Sequence, residues 1–217
     1  LPTLFEVKFE APAKINLSLS IHGKRADGFH EIETWMAPLT LTDELEISLA
    51  DAFSFSCSDP ALPADETNLA FRAARRFFEV SGQAGAASIR LRKRIPHGAG
   101  LGGGSSDAAT TLRALNQLCG QPLSAAALHE IAAELGSDVP FFLAGSAARC
   151  RGRGEQVEAA PLSDPVPLLL IKPSFGVPTP WAYGRWREAQ EVPGIPYTAQ
   201  ETAWGLLVND LERPVFE

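Results

Sequence analysis

Apolar and polar residues alternate through much of the first quarter of the chain. Phe5, Val7 and Phe9 are separated by Glu6 and Lys8, and Ile15, Leu17, Leu19 and Ile21 are separated by Asn16, Ser18, Ser20 and His22. Leu45, Ile47 and Leu49 repeat the period, as do Phe53 and Phe55. A period of two puts one set of side chains on one face of an extended backbone, so each run predicts a strand with one buried face. Ile89, Leu91 and Ile95 predict a further strand, whose other face carries Arg90, Arg92 and Arg94.

Past Cys57 the period changes. Leu69, Ala73, Phe77 and Val80 share one face of a helix that Thr67 or Asn68 caps and Gly82 closes. Ser105 or Ser106 opens a second helix, with Ala108, Leu112, Leu115 and Leu118 inward and Gly120 past its end. Ser124 opens a third, with Leu128, Ile131 and Leu135 inward and Gly136 as its stop. The continuous apolar runs Phe141–Leu143 and Pro167–Ile171 predict strands buried on both faces. Pro161, Pro165 and Pro167 suggest a hinge, dividing residues 1–160 from a second lobe over 161–217 whose first strand begins near Leu168. Strands and helices mix without a regular alternation, so the expected class is α+β rather than a doubly wound sheet.

With 45% hydrophobic and 21% charged residues, the chain has ordinary globular composition. Its net charge of -7 disfavours broad attraction to nucleic acid or anionic membrane, so an anionic ligand must be held by local groups. Cys57, Cys119 and Cys150 show neither metal-ligand spacing nor a disulfide framework and fit a reducing compartment. No apolar run reaches about 18 residues, the length that signals a membrane span, and a cytoplasmic location is expected.

The candidate chemistry lies in Pro96-His97-Gly98-Ala99-Gly100-Leu101-Gly102-Gly103-Gly104-Ser105-Ser106-Asp107, between a predicted strand and a predicted helix. Five glycines in seven positions let the backbone approach a ligand with no Cβ in the way. The following helix aims unpaired N–H groups and the positive end of its dipole at the loop, which suits phosphate. Ser105 and Ser106 are placed to cap the helix, reach a phosphate or ligate Mg²⁺. Gly98, Gly100 and Gly103 match the dinucleotide fingerprint in spacing, but no acidic residue ends a second strand about 20 residues on. A P-loop would carry lysine where Gly104 stands.

This stretch resembles the second motif of the GHMP small-molecule kinases, a family that includes galactokinase and the homoserine, mevalonate and phosphomevalonate kinases. Three further stretches, Ala11-Pro-Ala-Lys-Ile-Asn-Leu17, Arg25-Ala-Asp-Gly-Phe-His30 and Gly136-Ser-Asp-Val-Pro-Phe141, resemble the branch that acts on a cytidine-diphosphate-linked methylerythritol. The likeness runs from Ala11 to Asn209-Asp-Leu-Glu212. It implies a two-lobed α+β kinase with a ribosomal-protein-like βαβ first lobe, transferring phosphate from ATP, with Mg²⁺, to a tertiary 2-hydroxyl in the non-mevalonate isoprenoid pathway. The family's third glycine motif, expected in the second lobe, does not occur in this sequence. The second lobe is therefore expected to be incomplete here, and activity is not assumed of these residues alone.

The resemblance also assigns roles. Lys14 and Asp138 fall on the catalytic pair: Asp138 takes the hydroxyl proton, and Lys14 orients it and stabilises charge on the transferring group. Without the resemblance, Lys14 reads as a lysine on the solvent face of a strand and Asp138 as a turn or cap residue. Asn68, Lys93, Pro96, Gly98, Gly100, Leu101, Gly102, Gly103, Gly104, Ser105 and Ser106 fall at the ATP end, although Asn68 equally serves as a helix cap. Asn16, Phe29, His30, Thr179 and Tyr183 fall at the substrate end. There Phe29 and Tyr183 stack on cytosine, His30 bonds its edge, and Trp181 competes with Tyr183. A mevalonate or homoserine kinase, a non-catalytic nucleotide-binding fragment and an RNA-binding module are the rival readings.

Overall fold

The computed structural model describes residues 7–202 and 205–217. Phe5, at the head of the first alternation, lies outside them. The first alternating runs fuse into two long strands, β1 (Val7–Lys24) and β2 (His30–Ala50). β1 lies antiparallel along nearly all of β2. On the opposite edge of β2 its two ends pair with different strands. β4 (Ala86–Arg92) lies along Glu44–Ala50, and β5 (Ala148–Gly152) along Ile32–Met36. β3 (Ser54–Cys57) joins β4 in parallel, and β6 (Gln156–Ala159) closes the other edge antiparallel to β5.

Parallel strands need a crossover, and α1 (Leu69–Ser81) supplies it between β3 and β4. The Asn68 side chain accepts from the Ala70 N–H, and Gly82 closes α1 in the left-handed conformation, as the capping pattern predicts. Next come α2 (Gly103–Leu118), α3 (Ala125–Leu135) capped by Ser124, and α4 (Val139–Ala144). Leu112 and Leu115 of α2, Phe77 of α1 and Phe141 of α4 bury against Leu45, Ile47 and Ile89 of the sheet. Each such side chain contributes about 1.5–3 kcal/mol when fully removed from water.

Beyond β6 come α5 (Thr179–Arg185), the hairpin β7 (Gln200–Thr202) and β8 (Gly205–Leu207), and α6 (Glu212–Phe216). A small cluster of Leu19, Ile21 and Ile32 with Tyr183, Trp186 and Leu211 ties this part to the sheet. The Leu19 N–H donates to the Val208 carbonyl at 2.6 Å, and the Ile21 N–H donates to Asp210 Oδ2 at 2.7 Å. The mixed class is as expected.

Three local expectations fail. Phe141–Leu143 is helical, within α4, because a short apolar run fits either element and Pro140 in the first turn favours a helix start. Pro167–Ile171 is neither a strand nor buried: Leu169 is 86% and Ile171 82% exposed, and no described strand lies alongside to pair with it. Helix α2 opens at Gly103 rather than at a serine, because the left-handed Gly102 serves as its N-cap. Ile95 lies just past β4, though it is buried as its pattern requires.

Candidate active site

The glycine loop is held from below by β1. At Lys14 the ladder with β2 slips register, and the Lys14 N–H donates to the Leu101 carbonyl at 2.9 Å. Bulges of this kind re-aim side chains next to functional sites. Here one sends the Lys14 stem under the loop. Gly102 has φ 69°, and a Cβ on it would lie 2.9 Å from both Lys14 Cγ and the Phe142 ring. Neither the backbone conformation nor the space accepts a side chain. Gly103 is nearly as tight, against Ile95 and Lys93 Nζ.

Lys14 is 6% exposed, so it is not a solvated strand lysine. Its Nζ donates to Asn16 Oδ1 at 2.7 Å and stands 3.4 Å from Asp138 Oδ2. Asp138 sits at the N-cap position of α4, but its side chain caps nothing and remains about one-third exposed. A carboxylate in that position is free to meet a ligand.

Two cavities meet at the loop. The larger, about 710 Å³, contains Lys14, Asp138 and all five residues assigned to the substrate end: Asn16, Phe29, His30, Thr179 and Tyr183. The second, about 350 Å³, is floored by the loop from Pro96 to Ser105 and walled by Asn68 and Lys93. Gly100, Gly102 and Ser105 line both. Ser106 lines neither: it is fully buried, its hydroxyl has no partner among the described residues, and it cannot reach a ligand in either cavity.

The far end of the larger cavity is aromatic. His30 and Tyr183 have ring centroids 5.2 Å apart, and the exposed Phe29 ring lies under the Arg153 guanidinium at 4.9 Å. Trp181 points elsewhere, lies under Arg185 and lines neither cavity, so Tyr183 is the aromatic in position. Burial, followed by the charges of Lys24 and Arg187, pushes the His30 pKa down. A neutral imidazole offers one donor and one acceptor at neutral pH. Burial, with Asp138 nearby, pushes the Tyr183 phenol up to about 12.

Residues 68–146 match the GHMP kinases N terminal domain. The chain is 46% identical over 211 residues to the 4-diphosphocytidyl-2-C-methyl-D-erythritol kinase of Methylacidiphilum infernorum, covering 95% of this chain and 72% of that protein. This chain belongs to the 4-diphosphocytidyl-2-C-methyl-D-erythritol kinase family. A Synechococcus kinase of the same name is 47% identical over 203 residues, 91% of this chain, and the chain spans 65% of that relative's length. The crystal structure of a 4-(cytidine 5'-diphospho)-2C-methyl-D-erythritol kinase superposes with a TM-score of 0.75 at 39% identity, covering 97% of this chain and 77% of that one. Homoserine kinase from Cytophaga hutchinsonii, at 21% identity over 84% of this chain and 64% of that one, shares the fold with a TM-score of 0.53.

In this chain Lys93 lines the smaller cavity, but its ammonium is already engaged. Its ammonium is bound by Asp43 and, at 2.8 Å, by Asp107, and both carboxylates are buried. It therefore faces two carboxylates rather than offering a free cation to phosphate. Asp43 also accepts from the N–H groups of Arg94 at 2.6 Å and Ile95 at 2.9 Å, the residues that lead into the loop. The three side chains thus anchor both ends of the glycine loop. Two carboxylates cannot both ionise easily around one buried ammonium. Burial raises the Asp107 pKa to about 7 against the pull of Lys93, and Asp43 pushes it in the same direction as burial.

Sequence reasoning missed Asp43, Thr34 and Arg153. Asp43 and Thr34 break the alternation of β2 with polar side chains on positions that turn out buried. A polar residue in phase with the apolar face was the available signal. Arg153 gave none, because a loop arginine is ordinarily solvated.

Proposed function

We propose that the protein containing this chain transfers the γ-phosphoryl group of ATP to the 2-hydroxyl of 4-diphosphocytidyl-2-C-methyl-D-erythritol, a step toward isoprenoid precursors. One observation carries the reading: two cavities share a rim of Gly100, Gly102 and Ser105, and Lys14 and Asp138 stand just inside the larger. A nucleotide in the smaller cavity directs its last phosphate across that rim toward a hydroxyl in the larger.

The loop N–H groups and the N-terminus of the 16-residue helix α2 supply the positive potential for the phosphates. Asn68, Pro96, Gly98, Leu101, Gly103 and Gly104 complete that wall, and Lys93 shapes it through its carboxylates. In the larger cavity Phe29 and Tyr183 hold cytosine, His30 bonds its edge, and Asn16 and Thr179 line the path to the reacting end. Asp138 accepts the proton as the hydroxyl oxygen bonds to phosphorus. The bond between phosphorus and the bridging oxygen breaks, ADP leaves with that electron pair, and Lys14 stabilises charge on the phosphoryl oxygens in flight. Among the described residues no group of three or more His, Cys, Asp or Glu is placed to hold a metal. The half-buried Ser105 hydroxyl at the shared rim fits a Mg²⁺ held mainly by phosphate oxygens, and the ion would neutralise phosphate charge there.

The division into residues 1–160 and the start of a second lobe over 161–217 belongs to the same proposal. It rests on the proline run and on the lack of helix or strand between β6 and α5. No helix among the described residues is long and apolar enough to cross a membrane. A cytoplasmic enzyme of small-molecule metabolism is the reading we adopt.

The test is turnover by the intact protein, followed as ADP release and by ³¹P NMR. The cytidine-linked substrate should be phosphorylated, whereas mevalonate and homoserine should not. Turnover of a free alcohol in preference to the cytidine-linked one would overturn the assignment.

A further inference from the structure

The bulge that re-aims β1 continues past Lys14. Asn16 pairs with Met36 and Ser18 with Trp35, so two steps of β1 face one step of β2. A bulge interrupts the hydrogen-bond ladder. Here one side chain of β2 bridges the gap. The Thr34 hydroxyl donates to the Ser18 carbonyl at 2.6 Å and lies 2.7 Å from Asn16 Nδ2. Asn16 Oδ1 in turn accepts from Lys14 Nζ at 2.7 Å.

The direction of each bond follows from donor inventory. A threonine hydroxyl has a single proton. Thr34 gives that proton to Ser18, a carbonyl that can only accept. Toward Asn16 the hydroxyl oxygen can therefore only accept, and Asn16 must present its NH₂ group. That fixes the amide plane and turns Oδ1 toward Lys14, whose ammonium has donors only. The chain runs in one direction, from Lys14 through Asn16 and Thr34 to the Ser18 backbone. Reversing the amide would break both of its bonds and set two donors face to face.

Thr34 is 1% exposed, so its bonds are little contested by water, and leaving Asn16 Nδ2 unpaired there carries a desolvation cost. The outcome is that one ammonium hydrogen is committed to Asn16. The Lys14 head then faces Asp138 and the shared rim in one orientation.

We propose that Thr34 is a positioning residue for Lys14, acting through the Asn16 amide. The proposal rests on the kinase reading above. Thr34→Val keeps the β-branched shape and removes the hydroxyl, and with it both the bond to the Ser18 carbonyl and the acceptor for Asn16 Nδ2. In the intact enzyme it should lower kcat about tenfold, the value of one well-placed hydrogen bond, while KM for ATP and for the cytidine-linked substrate stays within about twofold. Thr34→Ser, which retains the hydroxyl, should recover most of the lost rate. In an Asn16→Ala background Thr34→Val should add almost nothing, because groups acting in series are not additive. An equal loss in both backgrounds, or no recovery with serine at an unchanged melting temperature, overturns the proposal. A second readout needs no turnover. The Asn16 side-chain NH₂ should exchange slowly with solvent by NMR in the parent and rapidly in Thr34→Val. Equal exchange in the two sinks the hydrogen-bond chain even if the kinase reading stands, whereas an inactive parent with the exchange difference intact sinks only the kinase reading.

Discussion

Gly102 and Lys14 are in contact: the lysine stem fills the space a side chain on the glycine would need, with Cγ 2.9 Å from the Cβ position. The Lys14 backbone N–H, meanwhile, donates to Leu101. The glycine loop and Lys14 are therefore one mechanical unit. Gly102→Ala meets a left-handed backbone costing about 1–2 kcal/mol for an L-residue, plus the collision with Lys14 and Phe142. It should raise KM for ATP and lower kcat together, each by tenfold or so, in steady-state kinetics. A change in ATP affinity alone would mean that the two parts move independently.

His30 belongs to the opposite end of the cleft. His30→Ala should raise KM for the cytidine-linked substrate and leave KM for ATP nearly unchanged. The depressed His30 pKa gives a sign to its pH dependence. The ring stays neutral on descending through the ordinary histidine range near 6.5, and cytidine affinity should weaken only at lower pH. Titration of nucleotide binding by calorimetry from pH 8 to pH 5 checks this, and a loss centred above 6.5 would contradict it.

Asp107 yields a stability prediction. Its folded pKa, about 7, lies above its unfolded value near 3.9, so the folded state holds the extra proton between these limits. Stability from this group is present below that window and lost as pH rises through 7. Thermal melts should show the parent losing stability from about pH 4 to pH 7, with little further change above 7, and Asp107→Asn should flatten that slope. Lys93→Met, which leaves two carboxylates buried without their cation, should cost about 3–5 kcal/mol at pH 8. A parent and an Asp107→Asn variant with the same pH slope would rule out a raised Asp107 pKa as the source of the slope.

Much of this was legible in the sequence, for identifiable reasons. Helix α1 was readable at both ends because its cap, Asn68, and its stop, Gly82, act locally. The loop was readable because its glycines sit between a strand and a helix. Phe141–Leu143 was misread because local pattern does not separate a buried strand from a short buried helix. The exposed Leu168–Ile171 run was misread because strand burial depends on partners that pattern alone does not supply. The Asp43–Lys93–Asp107 cluster joins residues 50 and 14 positions apart, a distance over which spacing says nothing. Lys14 and Asp138 were singled out by resemblance, and their 3.4 Å approach depends on a bulge that alternation does not announce.

The central claim is that Asp138 takes the proton of the attacking hydroxyl with Lys14 beside it. Asp138→Asn keeps the shape of the side chain and removes the acceptor, so kcat should fall by about 10²–10⁴. Lys14→Met should cost a comparable amount, and the double variant should be scarcely slower than either single one, since the pair acts as a unit. Binding of both substrates should survive in all three. The decisive measurement is single-turnover phosphoryl transfer by Asp138→Asn with both substrates saturating. A rate lower by at least two orders of magnitude is the result predicted, and a rate near that of the parent would show that the hydroxyl loses its proton without Asp138.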